Sequence, residues 1–123
     1  MERRAAEFFA GIGLMRMGLD REGWTMVWAN DIDDKKSEMY RANFSGDSCE
    51  FVLGDVHKVK GNDLPDIDLA TASFPCNDLS LAGARHGLAG SHSSAYWGFI
   101  DVLKSMGKRK PSLVLPSRSD FVQ

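Results

Sequence analysis

Five short apolar runs recur along the 123 residues, most of them separated by segments of helical length. They are Ala5-Ala6-Glu7-Phe8-Phe9, Thr25-Met26-Val27-Trp28-Ala29, Glu50-Phe51-Val52-Leu53, Ile67-Asp68-Leu69-Ala70-Thr71-Ala72 and Pro111-Ser112-Leu113-Val114-Leu115. Each is short for a helix and right for a buried strand. Alternation of strand with helix implies parallel pairing, because a chain that returns through a helix re-enters the sheet in the same direction. The expectation is one α/β domain over residues 1–123, a parallel sheet with helices on both faces. Right-handed crossovers and one reversal of strand order would bring the C-terminal ends of the first four strands into one crevice.

The first run ends in Ala10-Gly11-Ile12-Gly13, a tight turn ahead of a short helix carrying Leu14, Met15, Met17, Gly18 and Leu19 and closed by Gly23. Glycines there let a ligand approach the backbone, and a helix N-terminus adds unpaired N–H groups, which suits a nucleotide. A plain glycine turn accounts for the same residues. The full dinucleotide pattern is absent, since Arg16 stands where its third glycine belongs. The second run leads into Asn30-Asp31-Ile32-Asp33-Asp34. Asp31, about 20 residues after the turn, is placed to accept hydrogen bonds from ribose hydroxyls, and Ile32 offers an apolar surface to a base. Asp33 or Asp34 reads instead as the cap of a helix over residues 35–43, with Met39, Tyr40 and Phe44 on its inner face. Asp55, just after the third run, either accepts from an amino group at the same rim or bonds its own backbone as a turn aspartate.

The fourth run ends in Ser73-Phe74-Pro75-Cys76-Asn77-Asp78-Leu79-Ser80. Proline fixes its own φ and restrains Phe74, so Cys76 is presented on a stiff turn where a thiol can act as nucleophile. The plain alternative is a small buried hydrophobe. Residues 81–92 are polar and glycine-rich, either a lid over the site or a loose connection. A helix over residues 93–106 carries Phe99, Ile100, Val102, Leu103 and Met106, and Lys104, Lys108, Arg109 and Lys110 suit its C-terminal dipole without invoking nucleic acid. From Pro116 onward the chain reads as a polar tail.

Composition narrows the function classes without selecting one. A 43% hydrophobic, 26% charged chain is ordinary for a globular domain. No run approaches the roughly 20 apolar residues that cross a bilayer, and Met1-Glu2-Arg3-Arg4 does not open a secretory signal. The expectation is an intracellular protein, cytoplasmic or nucleoid-associated, with no membrane partner. Cys49 and Cys76 make neither a disulfide framework nor a zinc pair, and His57, His86 and His92 are not spaced as ligands, so no metal is expected. The net charge of -2 gives no overall attraction to nucleic acid.

Four of these stretches carry a family resemblance. Phe9-Ala10-Gly11-Ile12-Gly13, Asn30-Asp31-Ile32-Asp33, Gly54-Asp55-Val56 and Phe74-Pro75-Cys76-Asn77 resemble, in order and spacing, the first four motifs of DNA cytosine-C5 methyltransferases. Asp78-Leu79-Ser80-Leu81-Ala82-Gly83 resembles that family's active-site loop. The resemblance implies a Rossmann-like class I S-adenosylmethionine-dependent methyltransferase fold, incomplete on its C-terminal side. It implies that Phe9, Gly11, Gly13, Asp31, Ile32, Asp55, Val56 and Phe74 line the S-adenosylmethionine site, with Asp31 on the ribose and Asp55 near the adenine amino group. It implies further that Cys76 attacks C6 of a flipped-out cytosine, with Pro75, Asn77 and Ser80 on the substrate loop. DNA would be the partner of the complete enzyme, in restriction-modification.

Departures from that pattern bear on activity. The family follows its fifth strand with Glu-Asn-Val, whose glutamate protonates the ring nitrogen; here Leu115 is followed by Pro116-Ser117-Arg118-Ser119-Asp120-Phe121. The later arginine-bearing strand, the target-recognition region and the returning C-terminal helix have no counterpart. Asn77 stands where glutamine is more usual, and Leu14 where a glycine often stands. The expected activity is therefore cofactor binding with negligible methylation by this chain alone. Two alternatives remain open: a non-catalytic module or half of a split enzyme, completed by a second chain or by self-association through an exposed sheet edge, and an RNA cytosine methyltransferase.

Overall fold

The computed structural model describes residues 2–74 and 94–118. Strand β1 (Arg4–Phe8) is followed by helix α1 (Leu14–Arg21), β2 (Thr25–Asp31), α2 (Asp34–Asn43) and β3 (Glu50–Leu53). Two 3-10 turns, Val56–Lys58 and Gly61–Asp63, lead to β4 (Leu69–Phe74), and α3 (Ser94–Ser105) precedes β5 (Leu113–Arg118). All neighbouring strands pair in parallel, in the order β3-β2-β1-β4-β5. The order reverses between β1 and β4, which is where an α/β sheet opens a crevice at its C-terminal edge.

The two faces of the sheet are covered unequally. Ala6, Phe8, Trp28, Ala70, Ala72 and Phe74 point to one side and meet Phe99, Val102, Leu103 and Met106 of α3 and its end. Phe8 lies 5.0 Å from Trp28 and 4.9 Å from Phe99, ring centre to ring centre. Burying each such ring stabilises the fold by about 2 kcal/mol, so this layer is the principal core. On the other face two smaller clusters join the sheet to α1 and α2. Ala5, Met26 and Leu69 pack with Leu19 and Trp24, and Ala10, Ala29 and Tyr40 pack with Phe44 and Phe51.

Register sets the rim. Phe8 is level with Asn30 on one side and Ala72 on the other, Asn30 with Val52, and Ala72 with Pro116. The stretches singled out from the sequence therefore leave the sheet along one line.

Several local expectations are corrected. Leu14 and Met17 of α1 are 40% and 45% exposed, while Arg16, three-carbon stem and all, is the residue that α1 buries. Met39 is likewise exposed while its neighbour Tyr40 turns inward from α2 together with Ser37, because inner positions recur every three to four residues and Ser37, Tyr40 and Phe44 already fill that stripe. Pro116 is not the start of a tail: β5 runs from Leu113 through Pro116 to Arg118, an edge position where a proline is tolerated. Leu113, Val114 and Leu115 are each 43–44% exposed, so both faces of that edge strand are open among the described residues. None of the described helices is long and apolar enough to cross a membrane.

Candidate functional site at the reversal of strand order

Beyond β1 the chain turns sharply. Phe9 adopts φ 55°, a left-handed conformation that is uncommon outside glycine, and Gly11 and Gly13 follow at φ 58° and 93°. Gly13 caps α1 and is wedged against α2, where a Cβ would come within 2.3 Å of Phe44 Cε2. The space around Gly11 is different: nothing lies within 4 Å of where its Cβ would stand. The turn is thus backed by α2 on one side and open above Gly11. Asn43 of α2 closes the arrangement by donating from Nδ2 to the Ile12 carbonyl, 3.3 Å away.

The rim of β2 is fastened to this turn. The Gly11 N–H donates to Asp31 Oδ2 at 2.8 Å, and the Asp33 N–H donates to Asp31 Oδ1 at 2.8 Å. Asp31 holds both segments at once, and each of its oxygens retains acceptor capacity. Ile32, next along, is 70% exposed. Asp33 takes the capping role expected of it, accepting from the Lys35 and Lys36 N–H groups at 3.0 and 3.1 Å. One residue before Asp31, Asn30 is 1% exposed and donates from Nδ2 to the carbonyls of Val52 and Gly54, at 2.8 and 3.0 Å.

Asp55 caps the first 3-10 turn, its Oδ1 accepting from the His57 N–H at 2.9 Å. That is the turn role read for it from the sequence, and Oδ2 has no part in that bond. Val56 is 6% exposed, with its side chain in the core cluster under α3. Phe74, fully buried at the end of β4, lies 5.1 Å from Phe9 and 5.5 Å from Tyr96, ring centre to ring centre. Aromatic contact therefore joins the β1 rim to the β4 rim across the reversal. Pro75, Cys76, Asn77 and Ser80 lie outside the described residues, as do residues 81–92.

One polar network was missed by sequence reasoning. Glu7, fully buried in β1, accepts from Tyr40 Oη at 2.9 Å, and Arg16 Nη1 donates to the same hydroxyl at 3.4 Å. Arg16 in turn pairs with Asp47 and with Asp20, the latter at 3.5 Å, and stacks 4.0 Å from the Phe44 ring. Burial pushes the Glu7 carboxyl up to about 7, against the opposing pull of the Tyr40 hydrogen bond and the Arg16 charge. Burial also pushes the Cys49 thiol up, although nearby Arg16 works the other way. The signal available beforehand was a charged residue in the middle of each of two apolar stretches, Glu7 and Arg16.

The profile of the C-5 cytosine-specific DNA methylase family matches residues 3–115. The chain is 31% identical over 110 residues to the Type II methyltransferase M.Bsp6I of Bacillus sp. (strain RFL6), covering 89% of this chain and 33% of that protein. To the Type II methyltransferase M.HaeII of Haemophilus aegyptius it is 32% identical over 114 residues, 93% of this chain and 34% of the other. The chain thus spans about a third of the length of the curated relatives it matches. Among solved structures, the S. pombe Dnmt2 methyltransferase superimposes with a TM-score of 0.67 at 23% identity, over 94% of this chain and 33% of that one. The Entamoeba histolytica methyltransferase EhMeth does so with a TM-score of 0.72 at 17% identity, over 93% and 38%. These two likenesses establish the Rossmann-like fold, and the profile together with the curated relatives establishes kinship: the chain belongs to the C-5 cytosine-specific DNA methylase family.

Proposed function

We propose that this chain forms the S-adenosylmethionine-binding portion of a DNA cytosine-C5 methyltransferase and carries its nucleophile, Cys76. The observation that supports this most directly is the Asp31 carboxylate, which ties the glycine turn to the β2 rim at the reversal of strand order. The residues present fit the cofactor. Space is open above Gly11, the Asp31 oxygens have lone pairs left for ribose hydroxyls, and exposed Ile32 offers an apolar face to adenine. Asp55 keeps Oδ2 for the adenine amino group while Oδ1 holds the turn. The contact between Phe9 and the buried Phe74 ring backs the crevice, and Gly13 sets the start of α1 beneath it. When bound, S-adenosylmethionine supplies an electrophilic methyl group.

The chemistry assigned to the chain itself centres on Cys76. Cytosine C5 is a weak nucleophile until a thiolate adds at C6. The new S–C6 bond pushes an electron pair toward C5, C5 takes the methyl group, and loss of the C5 proton expels the thiolate and restores the ring. A base stacked in a duplex is out of reach, so the cytosine must first be turned out of the helix. Pro75 restrains the turn that presents the thiol, and Asn77 and Ser80 belong to the loop that meets the substrate. β5 carries no carboxylate between Leu113 and Arg118 to protonate the ring nitrogen. Missing one general acid lowers a rate by about 10² to 10⁴, so turnover by this chain alone is negligible on this reading. The open faces of β5 favour a second reading for the chain by itself, a cofactor-binding module that works against another polypeptide surface.

Calorimetric titration of S-adenosylmethionine into the protein, with Asp31→Ala as control, tests the binding half of the proposal. Saturable binding that the variant loses is the expected result, and a folded chain that binds no S-adenosylmethionine would remove the cofactor-site reading. Methyl transfer to duplex DNA and to tRNA, compared with Cys76→Ser, tests the other half. Efficient transfer by the native chain would refute the claim of negligible turnover, and transfer to tRNA alone would replace DNA as the substrate.

A further inference from the structure

The β3 rim is held by a side chain from β2. Gly54 lies between two peptide groups, both fastened to consecutive β2 residues: its N–H donates to the Asp31 carbonyl at 2.9 Å, and its own carbonyl accepts from Asn30 Nδ2 at 3.0 Å. Its φ of 153° belongs to a region that side-chain-bearing residues avoid. A glycine left to itself would sample many exits from the strand, and here one is selected. The carbonyl that Asn30 holds belongs to the peptide joining Gly54 to Asp55. Fixing that oxygen fixes the plane of the peptide from which the Asp55 residue departs.

The second Asn30 bond reinforces the first. Nδ2 also donates to the Val52 carbonyl at 2.8 Å, so both hydrogens of one amide are used, on carbonyls two residues apart in the same segment. With Asn30 1% exposed, water cannot take over either bond. A hydrophobic side chain of similar size would remove both bonds and leave the Gly54 carbonyl without its Asn30 donor, and a carboxylate would face both carbonyls with acceptors only.

From this geometry we infer that Asn30 is the positioning residue for the adenine end of the cofactor site: it sets the Gly54–Asp55 peptide and thereby the direction in which Asp55 offers its free oxygen. The inference rests on the cofactor reading given above and adds to it a residue that need not touch the ligand. Asn30 acts on base recognition, not on the ribose, because the Asp31 carboxylate is fixed by Gly11 and Asp33 independently of the Asn30 amide.

Purine discrimination supplies the test. S-adenosylhomocysteine and S-inosylhomocysteine differ at the purine 6-position, where an amino donor is replaced by a carbonyl, so an oriented Asp55 acceptor favours the first. The native protein should prefer S-adenosylhomocysteine by on the order of tenfold or more, the worth of one well-placed hydrogen bond to a charged group. In Asn30→Ala the preference should fall below about threefold, chiefly through weaker binding of the adenosyl compound. A change confined to stability would lower the folded fraction and leave the ratio intact, so the ratio reports positioning. Gly54→Ala disturbs the same peptide from the other end, with no neighbour within 4 Å of the added methyl, and serves if Asn30→Ala does not fold. It should erode the ratio in the same way. Undiminished discrimination in either folded variant overturns the role of Asn30. Failure of the native protein to bind either compound overturns the cofactor reading itself, and the inference with it.

Discussion

Replacing Glu7 by glutamine should change how the stability of this protein depends on pH. The carboxyl sits wholly inside the sheet–helix layer, and its proton is held to about 7 instead of the usual 4.5. An unfolded chain releases that proton near 4.5. Between the two values the folded state binds more protons than the unfolded one, so stability falls as pH rises through this window. A displacement of this size corresponds to about 3 kcal/mol, present in full below about pH 4.5 and lost by about pH 8. Glutamine approximates the neutral acid in shape and still offers Tyr40 an acceptor, but it does not titrate. Urea unfolding of both proteins from pH 5 to pH 8.5 is the assay, since the difference between their curves cancels every other titrating group. The two should be similar near pH 5, and Glu7→Gln should be the more stable by about 2 to 3 kcal/mol at pH 8.5. Parallel curves across the range would refute the assignment of a neutral buried acid.

Other perturbations follow from the same geometry. Gly13→Ala places a methyl against the Phe44 ring at a positive φ and should destabilise the fold by about 2 to 4 kcal/mol by denaturant unfolding, whereas Gly11→Ala, with open space around it, should lose only about 1 kcal/mol. Asp33→Ala removes the α2 cap and should lower stability by about 1 kcal/mol while leaving the affinity for S-adenosylmethionine within about threefold, in contrast to Asp31→Ala. Val114→Lys puts a charge on the open edge strand and should reduce self-association in light scattering at high concentration, with the thermal midpoint little changed.

The parallel sheet was legible because its signal is apolar and short-ranged. β3 carries the same bounds in sequence and structure, and the rims after β1, β2 and β3 were visible from Gly11, Gly13, Asp31 and Asp55. What escaped was polar and long-ranged. Glu7, Arg16, Tyr40 and Asp47 come from four separate segments, and nothing in hydrophobic periodicity reveals that a charged residue will be buried when these partners lie 24 to 33 positions away. Met39 and Tyr40 are adjacent and both apolar enough to be chosen, so only the packed helix decides between them. β5 was legible only as far as Leu115 because Pro116 looks like a strand stop, a rule that edge strands relax, and the strand runs on to Arg118. Asn30 was read only as a member of its motif, and nothing in hydrophobic periodicity reveals that its amide donates to the carbonyls of both Val52 and Gly54.

The bond from the Gly11 N–H to Asp31 has a consequence for how ligand recognition is dissected. It ties the turn after β1 to the end of β2, two segments 20 residues apart, through one carboxylate. Deleting the carboxylate from the protein releases the turn as well as any ligand contact, and the two losses arrive summed. Deleting hydroxyls from the ligand leaves the bond in place. Comparing deoxyribose forms of the cofactor product on the native protein therefore isolates the sugar contribution, and the remainder of the Asp31→Ala loss measures how much of the affinity lies in keeping the turn in its bound shape beforehand.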